Sequence, residues 1–200
     1  MKPYIVVFVT LVAVAIILVM NKLIHKKAFD VAVKSNLNSN VKAFLAMIRW
    51  SENKAAKVDS DRYRTMYGGR FFANFSDHPY ITKEWLGAKL PDSYCRDAGL
   101  SSGCITTAAG GYQFISSTWR RMRDKLGLED FSANSQDLAA IALISERGAL
   151  GLVENGEFSK AVNILKAEWA SLPGSGVGQP TNSFLAVQNN YLNNGGKIIS

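Results

Sequence analysis

The sequence predicts a mostly helical α+β domain with a small β-ribbon near its start, preceded by one transmembrane helix. Three observations predict it. An apolar run extends from Tyr4 to Met20, a 3.6-residue apolar period begins at Val41 and is followed by capped segments after Ser116, and aromatic residues alternate with polar ones around Gly68-Gly69. Length and composition agree, since 200 residues that are 48% hydrophobic and 20% charged describe a packed domain rather than a disordered chain or a fibre. Two Cys are too few for a disulfide-built miniprotein and two His leave little room for a metal site, so neither metal nor cofactor is expected.

The run from Tyr4 to Met20 is broken only by Thr10 and contains no Gly, Pro or charge. As a helix it spans about 25 Å, and its aliphatic and Phe residues favour insertion by roughly −4 to −7 kcal/mol. No small-residue cleavage site follows at Leu18-Val19-Met20-Asn21-Lys22, so residues 1–21 read as an uncleaved signal-anchor. Residues 22–40 read as a polar linker, residues 41–200 as the functional domain. Of the formal charge of +7, the first 40 residues supply +4 through five lysines and one acid. The remainder calls for no basic stripe, and nucleic acid is not an expected partner. Lys22, Lys26 and Lys27 follow the span while Lys2 precedes it, and by the positive-inside rule alone the domain would face the cytoplasm.

Val41, Phe44, Leu45 and Ile48 form one apolar face of a helix over about 40–51, which places Glu52 at its C-terminal end. The helix dipole disfavours a carboxylate there and raises its pKa. Tyr63, Thr65, Tyr67, Gly68-Gly69, Phe71, Phe72 and Phe75 read as the β-ribbon, and residues 86–111 as loop. Further helices are expected from Ser116 or Ser117 to Leu126 with a stop at Gly127, over 136–147 with a Ser135 cap and a stop at Gly148, and over 160–170 with a Ser159 cap. A last one opens at Thr181 or Ser183 and ends before Gly195.

Several motifs occur in a telling order: Trp50-Ser51-Glu52, Tyr67-Gly68-Gly69, Phe75-Ser76-Asp77-His78-Pro79, Gly111-Tyr112-Gln113, Glu146-Arg147-Gly148-Ala149-Leu150, and Trp169-Ala170-Ser171-Leu172-Pro173-Gly174 running on to Gln179. Over roughly residues 41–196 they resemble the bacteriophage lambda endolysin family, lytic transglycosylases of lysozyme-like fold. The resemblance implies a two-lobed domain whose cleft binds a peptidoglycan glycan strand and cleaves it between N-acetylmuramic acid and N-acetylglucosamine. It also implies a wall-facing domain on the periplasmic side of the host inner membrane, held there through residues 4–20, against the charge bias of the flank. A monomer is expected.

The resemblance gives Glu52 the catalytic role through the Trp-Ser-Glu match. Glycosidic cleavage needs a carboxyl that is still protonated near neutral pH, and a Glu at a helix end beside Trp50 suits that need. Ser51, Tyr112, Gln113 and Gln179 are the expected substrate contacts. Gly110 and Gly111 are expected to let a sugar approach the backbone, Gln113 to offer donor and acceptor to an N-acetyl group. Where the family carries an aromatic in the glycine loop, this chain has Val177, which puts one sugar contact in doubt. A hydrolysing muramidase needs a second carboxylate, for which Asp59, Asp61 and Asp77 are the choices, whereas a transglycosylase uses the substrate's own C6 hydroxyl. A membrane-tethered, non-catalytic wall binder is the remaining alternative. Trp169 reads as core, His78 as a turn residue, and Glu146 with Arg147 as an ion pair or helix-end contact. Cys95 and Cys104 bracket a Ser/Gly-rich insertion relative to the family, as a disulfide or as two free thiols.

Overall fold

The computed structural model describes residues 3–175 and 181–199; the side chains of residues 3–12 and of residue 15 lie outside the described set. Its first element, α1 (Pro3–Ser35), is one continuous helix, since nothing between Tyr4 and Lys34 is Gly or Pro. The stretch 22–35, expected within a polar linker, is thus helical, and only residues 36–38 form the connection. Among the described residues no helix is long and apolar enough to cross a membrane. The expected transmembrane helix therefore finds no support in the fold, and most of the run Tyr4–Met20 falls on side chains outside the described residues. The end of α1 docks onto the domain: Ala32 and Ser35 are buried, and the Ser35 hydroxyl donates to Glu154 Oε1 at 2.5 Å.

Helix α2 (Ser39–Glu52) matches the expected segment. The Asn38 side chain accepts from the backbone N–H groups of Asn40 and Val41 at 2.9 and 3.2 Å, satisfying two donors the helix cannot. Val41, Phe44, Leu45 and Ile48 are all buried, with Phe44 edge-on to Phe158 and Tyr191 at 5.9 and 6.1 Å. The short α3 (Asp59–Arg62) follows, and after three further short elements come α5 (Ser116–Leu126) and α6 (Ala133–Glu146). From Leu138 through Ile144 every residue of α6 is buried, so this helix runs through the core. Its cap is Ser132 rather than Ser135, while α5 has no side-chain cap: the Ser116 N–H bonds instead to Thr107 Oγ1 at 2.9 Å. Gly127 ends α5 in the left-handed conformation, as expected. Helix α7 (Leu150–Asn155) was not signalled by any long period. Helix α8 (Phe158–Leu165) stops before Trp169, which sits in the following turn, buried in the core. Ser183 caps the last helix, α9 (Phe184–Asn193).

The ribbon lies elsewhere than expected. Residues 60–80 hold most of α3 and take part in two isolated bridges, Thr65 with Phe71 around the Gly68-Gly69 turn and Met66 with Ala109. The two-stranded antiparallel sheet pairs β1 (Ala88–Lys89) with β2 (Ile105–Thr106), in the stretch read as loop. Two-residue strands are too short to leave an alternation signal. The Phe72 and Phe75 spacing serves a different purpose, an aromatic cluster in which Phe131 meets Trp119 at 4.6 Å, His78 at 5.0 Å and Phe72 at 5.7 Å. His78 opens a turn, as expected, its carbonyl accepting from Ile81 N–H at 2.7 Å, but its ring is also buried in the core. Its Nδ1 accepts from Tyr80 N–H, so Nε2 donates to the Phe114 carbonyl at 2.9 Å, and burial pushes its pKa down to about 4.

Between the strands lies α4 (Asp92–Asp97), stapled to the start of β2 by a Cys95–Cys104 disulfide. This resolves the two cysteines as paired. By loop entropy alone, closing a loop of this size stabilises the fold by about 2–3 kcal/mol. Urea melts with and without reductant, or of the C95S/C104S variant, are expected to show that loss as a lower midpoint; an unchanged midpoint would mean the hairpin is ordered without its staple.

Candidate active site

The last turn of α2 ends at Glu52, and Asn53 caps it. The Asn53 side chain donates to the Gly111 carbonyl at 2.8 Å and accepts from Gln113 Nε2 at 3.0 Å, drawing residues 110–113 onto the helix end. Gly110 has φ +80°, and a Cβ there would lie 2.4 Å from Gln136 Oε1; one on Gly111 would lie 2.8 Å from Arg49 Cδ. Both glycines are buried, so the close approach they permit is to the core, not to a sugar as expected. Gln113, also left-handed at φ +47°, is held by its amide donors to Asn53, Thr65 and Gly110. Its donors are therefore spent.

Two ionisable groups share that last turn. Arg49 donates to Asp59 at 2.8 Å and to the Tyr112 hydroxyl at 2.9 Å, and pairs with Asp137 at 3.4 Å. Asp137 also accepts from the Tyr63 and Tyr112 hydroxyls, at 2.9 and 2.5 Å. Burial opposes the guanidinium's charge, but these partners outweigh it and hold its pKa above the ordinary value. Among the described residues Glu52 has no cation partner. Burial pushes its pKa up to about 7, partly offset by hydrogen bonding to Ser171.

The Ser171 hydroxyl donates to Glu52 Oε1 at 2.6 Å. Ser171 Oγ lies 2.7 Å from Ser51 Oγ, which accepts from Asn182 Nδ2 at 2.6 Å. Asn182 also bonds the Ser171 carbonyl through both its backbone and side-chain N–H groups, each at 2.9 Å. Glu52 opens onto a cleft of about 610 Å³ whose walls include Tyr67, Tyr94, Gln113, Thr118, Glu168 and Lys54. Among the described residues no cluster of His, Cys, Asp or Glu is arranged to hold a metal ion.

Of the expected site residues, Glu52, Ser51, Tyr112 and Gln113 all lie along this cleft. Tyr112 is nearly fully buried, with its hydroxyl committed to Arg49 and Asp137, and Ser51 is buried with its hydroxyl engaged. Gln179 and Val177 lie outside the described residues. None of the anticipated second acids lines the cleft: Asp59 is tied to Arg49 and Arg62, and Asp77 to Arg123 and the Trp119 indole. Glu146 and Arg147 form ion pairs, but with Arg121 and Lys125 and with Glu168 respectively, not with each other. Sequence reasoning missed Arg49, Asp137, Ser171, Asn182 and Glu168. Ser171 stood inside a quoted motif, but nothing in a sequence tells a hydroxyl facing a buried carboxyl from any other turn serine.

A family model described as Endolysin matches residues 42–198. The endolysin of Escherichia phage lambda is 39% identical over 148 residues, covering 72% of this chain and 83% of that protein. The endolysin of Escherichia phage P2 is 35% identical over 157 residues, covering 74% of this chain and 88% of that protein. Among solved structures, bacteriophage lambda lysozyme complexed with a chitohexasaccharide matches with a TM-score of 0.67 at 34% identity, over 81% of this chain and 97% of that chain. A second structure, of lysozyme from bacteriophage lambda, matches with a TM-score of 0.65 at 32% identity and the same coverage.

The raised Glu52 pKa carries a stability cost of definite sign. The unfolded chain ionises this carboxyl near 4.5 and the folded one near 7, so stability falls as pH rises from 4.5 and the cost is complete above 7. Glu52→Gln keeps the bond from Ser171 and removes the cost. Partial solvent contact in the cleft reduces the effect, so the variant is expected to be more stable by on the order of 1–3 kcal/mol at pH 8 and unchanged at pH 4. Thermal melts across that range check it; equal gains at both pH values would detach the effect from ionisation.

Proposed function

Because the chain belongs to the endolysin family, we propose that it cleaves the β-1,4 bond between N-acetylmuramic acid and N-acetylglucosamine in peptidoglycan by lytic transglycosylation, for lysis of the host cell. The observation that carries this reading is one carboxyl on the cleft with its pKa raised to about 7, so that much of it is still protonated at neutral pH, and among the described residues no other acid on the cleft wall is free of a cation. The protonated Glu52 donates its proton to the leaving glycosidic oxygen as the bond to the anomeric carbon breaks. The muramoyl C6 hydroxyl then attacks that carbon and returns its proton to the Glu52 carboxylate. The product is a 1,6-anhydromuramoyl end, and no water is consumed. No cofactor or metal enters the cycle.

With the Gln113 amide donors spent on the protein, its carbonyl oxygen is left to accept from an N-acetyl N–H. Tyr67 and Tyr94 add ring surface to the walls. Substrate roles for Ser51 and Tyr112 are at most through the edges they show the cleft, while Gln179 is kept as a contact on the family motif alone. The second reading is a hydrolysing muramidase, and Glu168 favours it as the other carboxylate on the cleft wall. Its carboxylate is occupied by Arg147.

The reading extends to the N-terminus. Residues 1–21 are proposed as an anchor in the host inner membrane, residues 22–40 as the connection and 41–200 as the catalytic unit facing the periplasm. What supports the anchor is the apolar run itself and the exposure of Val14, Ile16, Ile17, Leu18, Val19 and Met20 along the described part of α1. Protease added to spheroplasts is expected to degrade the catalytic unit; full protection there would place it on the cytoplasmic side, where the flanking lysines alone would put it.

Mass analysis of digested sacculi tests the chemistry. Transglycosylation releases muropeptides lighter by one water than hydrolysis does, and reducing muramoyl ends in their place would make the protein a muramidase. Glu52→Gln is expected to lower the rate by roughly 10²–10⁴-fold. Undiminished cleavage by that variant would remove Glu52 from the mechanism.

A further inference from the structure

The bonds behind Glu52 have a direction. The Asn182 amide nitrogen has no lone pair to offer and can only donate, so Ser51 Oγ must accept from it at 2.6 Å. The Ser51 proton is then free for Ser171 Oγ at 2.7 Å, and the Ser171 proton goes to Glu52 Oε1 at 2.6 Å. Three donors stand in series, all pointing at one carboxyl oxygen, and chains of this kind polarise one another. Among the described residues the one side-chain donor to Glu52, Ser171 Oγ, falls on Oε1, with the Ser171 backbone N–H as a further donor that favours the ionised form, while Glu52 itself lines the cleft.

We propose that Asn182, acting through Ser51 and Ser171, is a positioning residue that keeps Oε1 as the accepting oxygen of Glu52 and so leaves the transferable proton on Oε2. This rests on Glu52 being the acid of the reaction. An isolated serine next to a carboxyl is a rotor that can donate or accept; if it accepted from Oε1, the acid's proton would be turned away from the substrate. The incoming donor from Ser51 fills a Ser171 lone pair and commits its proton to Glu52. Asn182 supplies the same service to Ser51, and its additional bonds to the Ser171 carbonyl hold the two segments in register. Ser51 is thereby assigned to the acid rather than to the sugar. Because the chain donates to the carboxylate, it also favours ionisation, so its loss makes Glu52 a weaker acid.

The experiment is the pH dependence of initial cleavage rate on purified sacculi for the full-length chain and for Asn182→Ala, Ser51→Ala, Ser51→Thr and Glu52→Gln, with thermal melts of each. Asn182→Ala and Ser51→Ala are expected to move the alkaline limb of the profile upward by at least about half a pH unit and to lower the plateau rate about tenfold. Ser51→Thr, which keeps the hydroxyl, is expected to return the limb to its original position. Substitutions that lower the melting temperature but leave the limb in place would overturn the proposal and leave these residues a purely structural role. If Ser51→Ala and Ser51→Thr moved the limb equally, the hydroxyl would be irrelevant and the proposal would fail likewise. Cleavage retained by Glu52→Gln would sink it together with the proposed function, whereas an inactive Glu52→Gln beside unshifted Asn182→Ala and Ser51→Ala would sink the relay alone.

Discussion

Arg49 and Glu52 stand three residues apart on the last turn of α2, a spacing at which opposite charges on a helix normally meet. Here they do not. The guanidinium is held by Asp59, Asp137 and the Tyr112 hydroxyl, and the pKa of Glu52 is set by burial and by Ser171 instead. That diversion is what the cleft depends on. Were Arg49 free, it would pair with Glu52 and hold it ionised at neutral pH, and the helix would end in an ordinary salt bridge. Instead one turn of helix carries a permanent cation and a reluctant carboxylate, sorted by environment alone. The same arrangement explains the buried glycines: a Cβ on Gly111 would collide with the aliphatic stem of Arg49, so the segment that bears Gln113 approaches the helix end only because residue 111 has none.

The sequence made some of this legible and not the rest, for physical reasons. Helix α2 was readable to within a residue or so because its apolar face repeats at 3.6 residues and Asn38 caps it locally. Glu52 followed, since a helix end is a local property. The sheet was misplaced because two-residue strands have no period, and the aromatic alternation at Tyr63–Phe75 answers to a cluster around Phe131, more than fifty residues away. His78 was readable as a turn residue because its neighbours Asp77 and Pro79 are turn formers, yet its ring also fills the core between Phe131 and the Phe114 carbonyl. The relay behind Glu52 joins residues 51, 171 and 182, and no local pattern registers a contact at such separations.

Helix α1 joins its apolar segment to the domain with little slack. Its backbone continues unbroken to Ser35, three residues short of the α2 cap, and the Ser35 hydroxyl, Asn38 and Asn40 all reach the end of α7 at Glu154. A flexible polar connector would let the domain tumble freely about an anchor. A docked helix instead fixes the direction in which the apolar segment leaves the domain, at the cost of reach.

The chemistry also bears on how deep an acid can sit. An acid that must be reprotonated by solvent needs a water path, and a hydrolase needs a base with a water held beside it. On the transglycosylation reading neither is required, because the substrate hydroxyl restores the proton in the step that forms the new bond. Glu52 can then lie low in the cleft, where burial raises its pKa to about 7, with Oε1 occupied by the Ser171 hydroxyl. Among the described residues the lack of an unpaired second acid on the cleft and the raised pKa of Glu52 go together: the other carboxylate on the wall, Glu168, is taken by Arg147, and a cation of that kind beside Glu52 would favour its ionised form.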